Sequence, residues 1–189
     1  MDNLLQKLNT FSDNLLKNDG MLYEYHMIVI PLARRAADII EGFNDVIKKN
    51  NLTVAIPLLR MQMDNCIYVY GAHLSGLSAS EILKTEDLEF RKIKDAQTGR
   101  NLTDAYICAK LDAEFKGFHK LYKYACKYVH YSDKIYAEYL LGKYKKEEIE
   151  KEAEKCISQM TDITNFLLRL IEKYLINLYY VEKSVRTLI

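Results

Sequence analysis

The sequence predicts an all-α fold, a single-domain helical bundle of about five to seven helices with a long C-terminal helix. Three observations carry this. The segment from Leu52 to Ser75 is helix-length and apolar on nearly every side, as the buried centre of a domain is. Ile149, Ala153, Cys156, Met160, Ile163, Leu167, Leu170 and Tyr174 recur at alternating steps of four and three, an a/d stripe. Only seven glycines and two prolines punctuate the 189 residues, and no strand-length alternating run stands out.

Each element follows from local signals. Asp2 to Lys17 places Leu4, Leu5, Leu8, Phe11 and Leu15 on one face, and Asn18-Asp19-Gly20 reads as its C-cap. Leu22 to Lys49 is a second helix, with Ile28, Leu32, Ala36, Ile39, Ile40, Phe43 and Ile47 inward. Pro31 either kinks that helix or marks its first turn. Thr53 is placed to cap the central helix and Gly76 to end it. Ser78-Ala-Ser-Glu81 has capping-box spacing and predicts a short helix to about Lys84. Thr85 to Asn101 is polar and reads as a mobile connection. Thr103 starts a helix through about Leu111, and Gly117 opens another through about His130. Tyr131 to Lys145 is less regular, a loop or a small extended excursion. A last helix from about Lys146 to Val181 would be about 50 Å long at ~1.5 Å per residue. Its stripe suits packing along its own bundle, or a dimer seam along a protruding part.

Composition narrows the function classes. With 27 Lys and Arg against 26 acidic residues the net charge is +1, so no global footprint of a nucleic-acid binder exists, although a local basic patch is compatible. Cys66, Cys108, Cys126 and Cys156 are scattered through apolar segments, as reduced core residues are. His26, His73, His119 and His130 have no zinc-ligand spacing to them. No metal and no cofactor is expected. The start MDNLLQKLNTF lacks signal-peptide character, and no uninterrupted apolar run approaches the ~20 residues of a membrane span. The expectation is a cytoplasmic protein without membrane association.

Familiar catalytic motifs are missing: no Gly-rich phosphate loop, H-E-x-x-H, G-x-S-x-G or paired-Cys motif occurs. The 15 tyrosines are amphipathic core and rim residues before they are base-stacking platforms. Arg34-Arg35, beside Asp38, reads as a solvated face, and Lys143 to Lys155 as the salt-bridged outside of the last helix. Two polar blocks stand out. Arg60, Asp64 and Asn65 lie in the middle of the apolar central helix, and the four-residue step lets Arg60 pair with Asp64. That pair is either a structural tie between helices or one wall of a polar site. The second block is Leu121 to Asp133, LYKYACKYVHYSD, with Leu121, Tyr124, Ala125, Tyr128 and Val129 as an apolar stripe. His130 sits at its end, either as a helix cap or as a general acid or base.

An arginine and an acidic residue in a central apolar helix, followed by an aromatic-Val-His-x-Ser block, resembles bacterial members of the HEPN superfamily of helical domains. The likeness covers roughly Pro31 to Asp133. It implies a protein of bacterial defence, abortive-infection or toxin–antitoxin type. Active members are metal-independent ribonucleases that dimerise so that two R-x4-6-H motifs meet in a cleft. His130 would be the motif histidine. The basic residue at permitted spacing is Lys123, and no arginine lies between Arg100 and Arg169. On this resemblance His130 is the catalytic acid or base, with Arg60 and Lys123 as phosphate clamps. Asp64 would orient Arg60, and Asn65, Tyr128, Tyr131 and Ser132 would help position substrate. The implied partners are a second copy of the chain, RNA or a nucleotide, and an antitoxin or other protein. The alternative is a non-catalytic HEPN-like interaction or dimerisation module.

Overall fold

α3 (Leu52–Ser75) runs through the middle of the molecule because most of its sides are apolar. The computed structural model describes residues 2–17, 23–84, 92–130 and 146–175. Around α3 pack α2 (Glu24–Ile47), α5 (Asp104–Leu111), α6 (Phe118–Val129) and α7 (Lys146–Leu170). α1 (Asp2–Lys17) and the short α4 (Ala79–Lys84) lie against α2. α7 continues as a π-helical turn over Ile171–Leu175. The architecture is all-α, and no strand forms among the described residues.

The ends of α3 are set by backbone geometry. Asn50 takes a left-handed φ of 53° and the Asn51 amide returns 3.0 Å to the Val46 carbonyl, so the helix begins at Leu52 with Asn51 as N-cap. The expected Thr53 cap is therefore corrected, because the tight turn puts Thr53 inside the first turn. At the other end Gly76 has φ 67°, and a Cβ there would stand 3.0 Å from the Ala96 methyl. Both conditions select glycine. Pro31 lies well inside α2, which starts where the Tyr23 amide donates to His26 Nδ1 at 2.9 Å. The first-turn alternative for Pro31 thus falls. The Ser78–Glu81 capping box forms, with the Ser78 amide 2.8 Å from Glu81 Oε2 and the Glu81 amide 3.3 Å from Ser78 Oγ.

The stripe on α7 is an internal one. Ala153, Cys156, Met160, Ile163, Leu167 and Leu170 are all buried, and α3 is their principal neighbour. The segment beyond Leu175 lies outside the described residues, as do the Asn18–Gly20 cap and the stretch Tyr131 to Lys145.

The expected mobile connection is corrected over Lys92 to Asn101, and residues 85–91 lie outside the described ones. Asp95, 1% exposed, organises this turn. Its carboxylate accepts from the Tyr106 hydroxyl at 2.7 Å and from the amides of Gln97 and Thr98 at 2.8 and 3.0 Å. Lys110 stands 3.8 Å away. The Ala96 amide donates 2.9 Å to the Leu74 carbonyl, docking the turn on the end of α3.

These partners, the Tyr106 hydroxyl first, hold the Asp95 carboxyl down at about 2. An unfolded Asp titrates near ~3.9, so the stabilisation is complete above that pH and is lost as pH falls through about 2. Thermal melts between pH ~5 and ~2 are expected to show wild type losing more stability toward acid than Asp95→Asn. Parallel acid profiles for the two proteins would exclude this role.

Candidate functional site

α3 carries two rows of polar side chains into the bundle. One row is Arg60, facing α6, with Asp64 one turn later as its ion-pair partner. Arg60 donates from Nη1 to Asp64 Oδ1 and from Nη2 to the Tyr122 hydroxyl, while its Nε lies 3.2 Å from Cys126 Sγ. Its guanidinium carbon sits 3.6 Å from the centroid of the Tyr122 ring, a cation–π contact. Tyr122 passes the chain on, donating to Asp104 Oδ2 at 3.2 Å. The Arg60 and Asp64 side chains are 14% and 40% exposed, so the pair is half-sheltered rather than deeply buried.

Burial pushes the Tyr122 hydroxyl up from its ordinary range, with Arg60 pulling the other way. The neighbouring Cys108 thiol is pushed up to about 12, again chiefly by burial. Both groups are therefore protonated at neutral pH, and the Tyr122 hydroxyl is free to donate to Asp104.

The second row is Gln62 and Asn65, facing α2 and α7. Gln62 donates from Nε2 to Thr164 Oγ1 at 3.0 Å and accepts from Asn65 Nδ2 at 3.0 Å. Asn65 in turn accepts from Nη1 of Arg35, which also lies 3.5 Å from the Met61 carbonyl. Gln62 and Thr164 have no exposed surface and Asn65 has 1%. The reading of Arg34-Arg35 beside Asp38 as a solvated face holds, since all three residues are exposed. From that face Arg35 also reaches across to α3, where its guanidinium meets Asn65 at the end of the polar row.

The expected α6 stripe packs on the core through Leu121, Tyr124, Ala125 and Tyr128 but not Val129, and the deepest positions also include Phe118 and Tyr122. Phe118, Tyr122 and Ala125 are buried, Leu121, Tyr124 and Tyr128 flank them half-buried, and Val129 is 52% exposed. The helix is thus rotated so that Tyr122 points at Arg60. The spacing Phe118, Tyr122, Ala125 at steps of four and three carried this signal in the sequence.

His130 is the C-cap of α6, and its backbone amide donates to the Cys126 carbonyl at 3.0 Å. The residue is exposed, and its imidazole makes no polar contact among the described residues. Lys123 is exposed on α6. Tyr128 has its hydroxyl 3.2 Å from that of Tyr124, which donates to Glu152 Oε1 on α7 at 2.8 Å. Tyr131 and Ser132 lie outside the described residues. The structure therefore brings Arg60, paired with Asp64, against α6 at Tyr122 and Cys126, the latter one helical turn before His130. It keeps Asn65 on the other side of α3, with Arg35.

Among the described residues no group of His, Cys, Asp and Glu is arranged to hold a metal ion, and no helix is long and apolar enough to cross a membrane. No protein-family model, curated protein or solved structure matches the chain.

Proposed function

We propose that the chain is a HEPN-like helical module that acts through protein association, as a homodimer or with a second protein, rather than as a nuclease. One observation carries this reading. All three nitrogens of the Arg60 guanidinium are engaged, by Asp64, the Tyr122 hydroxyl and the Cys126 sulfur. A phosphate clamp needs that fork available for two oxygens of the substrate. In this chain the fork ties α3 to α6. Exposed Lys123 offers a phosphate a point charge only.

A second reading, the metal-independent ribonuclease using His130 with Arg60 and Lys123, draws on a specific observation as well. The Arg60–Cys126 contact holds a guanidinium against the helix that ends in His130, whose imidazole is exposed. Incubating wild type and His130→Ala with a structured RNA separates the two readings. The association reading expects no cleavage above background and no difference between the proteins, together with concentration-dependent assembly in sedimentation. Cleavage by wild type that His130→Ala reduces by about 100-fold or more would establish the ribonuclease instead.

A further inference from the structure

A cleft of about 530 Å³ opens between α2, α3 and α4, on the side of α3 that carries Asn65. Its size falls within the ~300–1,000 Å³ of small-molecule sites, and like them it is mainly apolar with polar groups gathered in one place. Ile28 and Leu32 of α2 form a buried floor, and Ile82 of α4 closes one wall. Met27 and Leu83 stand on the rim at 54% and 40% exposure. These are large apolar side chains held beside solvent, where water contact is costly and an apolar ligand would relieve it.

The polar end consists of Arg35, Asp64 and Asn65. Asp64 is neutralised by Arg60 from behind. Arg35 has two neutral acceptors, the Asn65 amide oxygen and the Met61 carbonyl, and no carboxylate partner among the described residues. Among the described residues that line this end or pair with those lining it, Arg35, Arg60 and Asp64 sum to one positive charge. Asn65 is anchored through Gln62 to Thr164, so the Arg35 guanidinium is held by a rigid chain. A solvent-reaching cation at the cleft mouth, oriented by neutral oxygens and bordering an apolar hollow, complements a single anionic head on an apolar body.

We propose that this cleft binds a small apolar carboxylic acid, with its carboxylate on Arg35 and its hydrocarbon body over Leu32, Ile82 and Leu83. A carboxylate matches the planar fork of the guanidinium, and one negative charge makes the polar end neutral. A second charge on the ligand would face Asp64. The site uses neither His130 nor Lys123, so it stands or falls independently of the association and ribonuclease readings.

Calorimetric titration of the full chain with octanoate, octan-1-ol and octylammonium tests the assignment. Octanoate is expected to bind saturably, one molecule per chain, at least about tenfold more tightly than the alcohol, with no measurable binding of the ammonium. Arg35→Met is expected to weaken octanoate by about tenfold while leaving octanol within about twofold. Leu83→Gln should weaken both, and Ile157→Gln, an exposed apolar position on α7 outside the cleft, should change neither. The head-group comparison on wild type keeps the test decisive even if Arg35→Met folds poorly. Absence of saturable octanoate binding, equal affinity for octanol, or an unchanged octanoate affinity in a folded Arg35→Met protein would each overturn the proposal.

Discussion

Arg60→Ala is expected to destabilise the protein by about 3 kcal/mol, at the lower end of the range for breaking a buried ion pair. The loss has three parts. The Asp64 carboxylate loses its counter-charge, the Tyr122 hydroxyl loses a charged donor, and the Tyr122 ring loses the cation above it. Asp64 is 40% exposed and recovers some hydration, which keeps the figure from reaching the ~5 kcal/mol of a fully enclosed pair. Arg60→Lys should recover only part, because a single ammonium cannot serve Asp64, Tyr122 and Cys126 at once. Urea unfolding checks this, with a lower midpoint and an unchanged slope expected. A variant that melts like wild type but binds RNA less well would mean that the guanidinium serves a ligand instead of the α3–α6 junction.

Gln62→Leu is expected to lower stability by about 2–3 kcal/mol even though it puts a hydrocarbon into the core. Gln62 has no exposed surface and serves two neighbours, donating to Thr164 and accepting from Asn65. Leucine leaves the Thr164 hydroxyl and the Asn65 amide group facing apolar surroundings, and each unsatisfied group costs about 1–3 kcal/mol. Adding Thr164→Val to Gln62→Leu removes one of the stranded groups and should restore about 1 kcal/mol. Strict additivity of the two substitutions in a double-mutant cycle would show that the α3–α7 hydrogen bond carries no energy of its own.

The bounds of α3 follow closely from local chemistry, since an all-round apolar run ends where Gly76 alone accepts the left-handed turn. The Ser78–Glu81 box is likewise local, because both partners lie within one turn. The α7 stripe announces a buried face through its spacing, and that face is buried from Ala153 to Leu170, with Ile149 and Tyr174 half-buried at its ends. The candidate site was legible only as its α3 half. Arg60 and Asp64 pair because a four-residue step on any helix brings them together. Tyr122, Cys126 and Asp104 are 62, 66 and 44 residues from Arg60 in the chain, and nothing local ties them to it.

Sequence by itself determined the helices, the apolar centre and the faces that had to be buried. These depend on backbone propensity, capping and hydrophobic period, all of which act within a few residues. Tertiary structure alone decided which polar groups meet. A rotation of α6 by part of a turn exposes Val129 and aims Tyr122 at Arg60. The crossing of α2 over α3 gives Arg35, still on an exposed face, Asn65 as a partner. Packing against Leu74 and Tyr106 turns a polar stretch that reads as mobile into an ordered turn around Asp95. Helix period specifies that a side chain points inward, but its partner depends on the rotation and offset of the opposing helix, which are set by ridge-and-groove packing of the whole core.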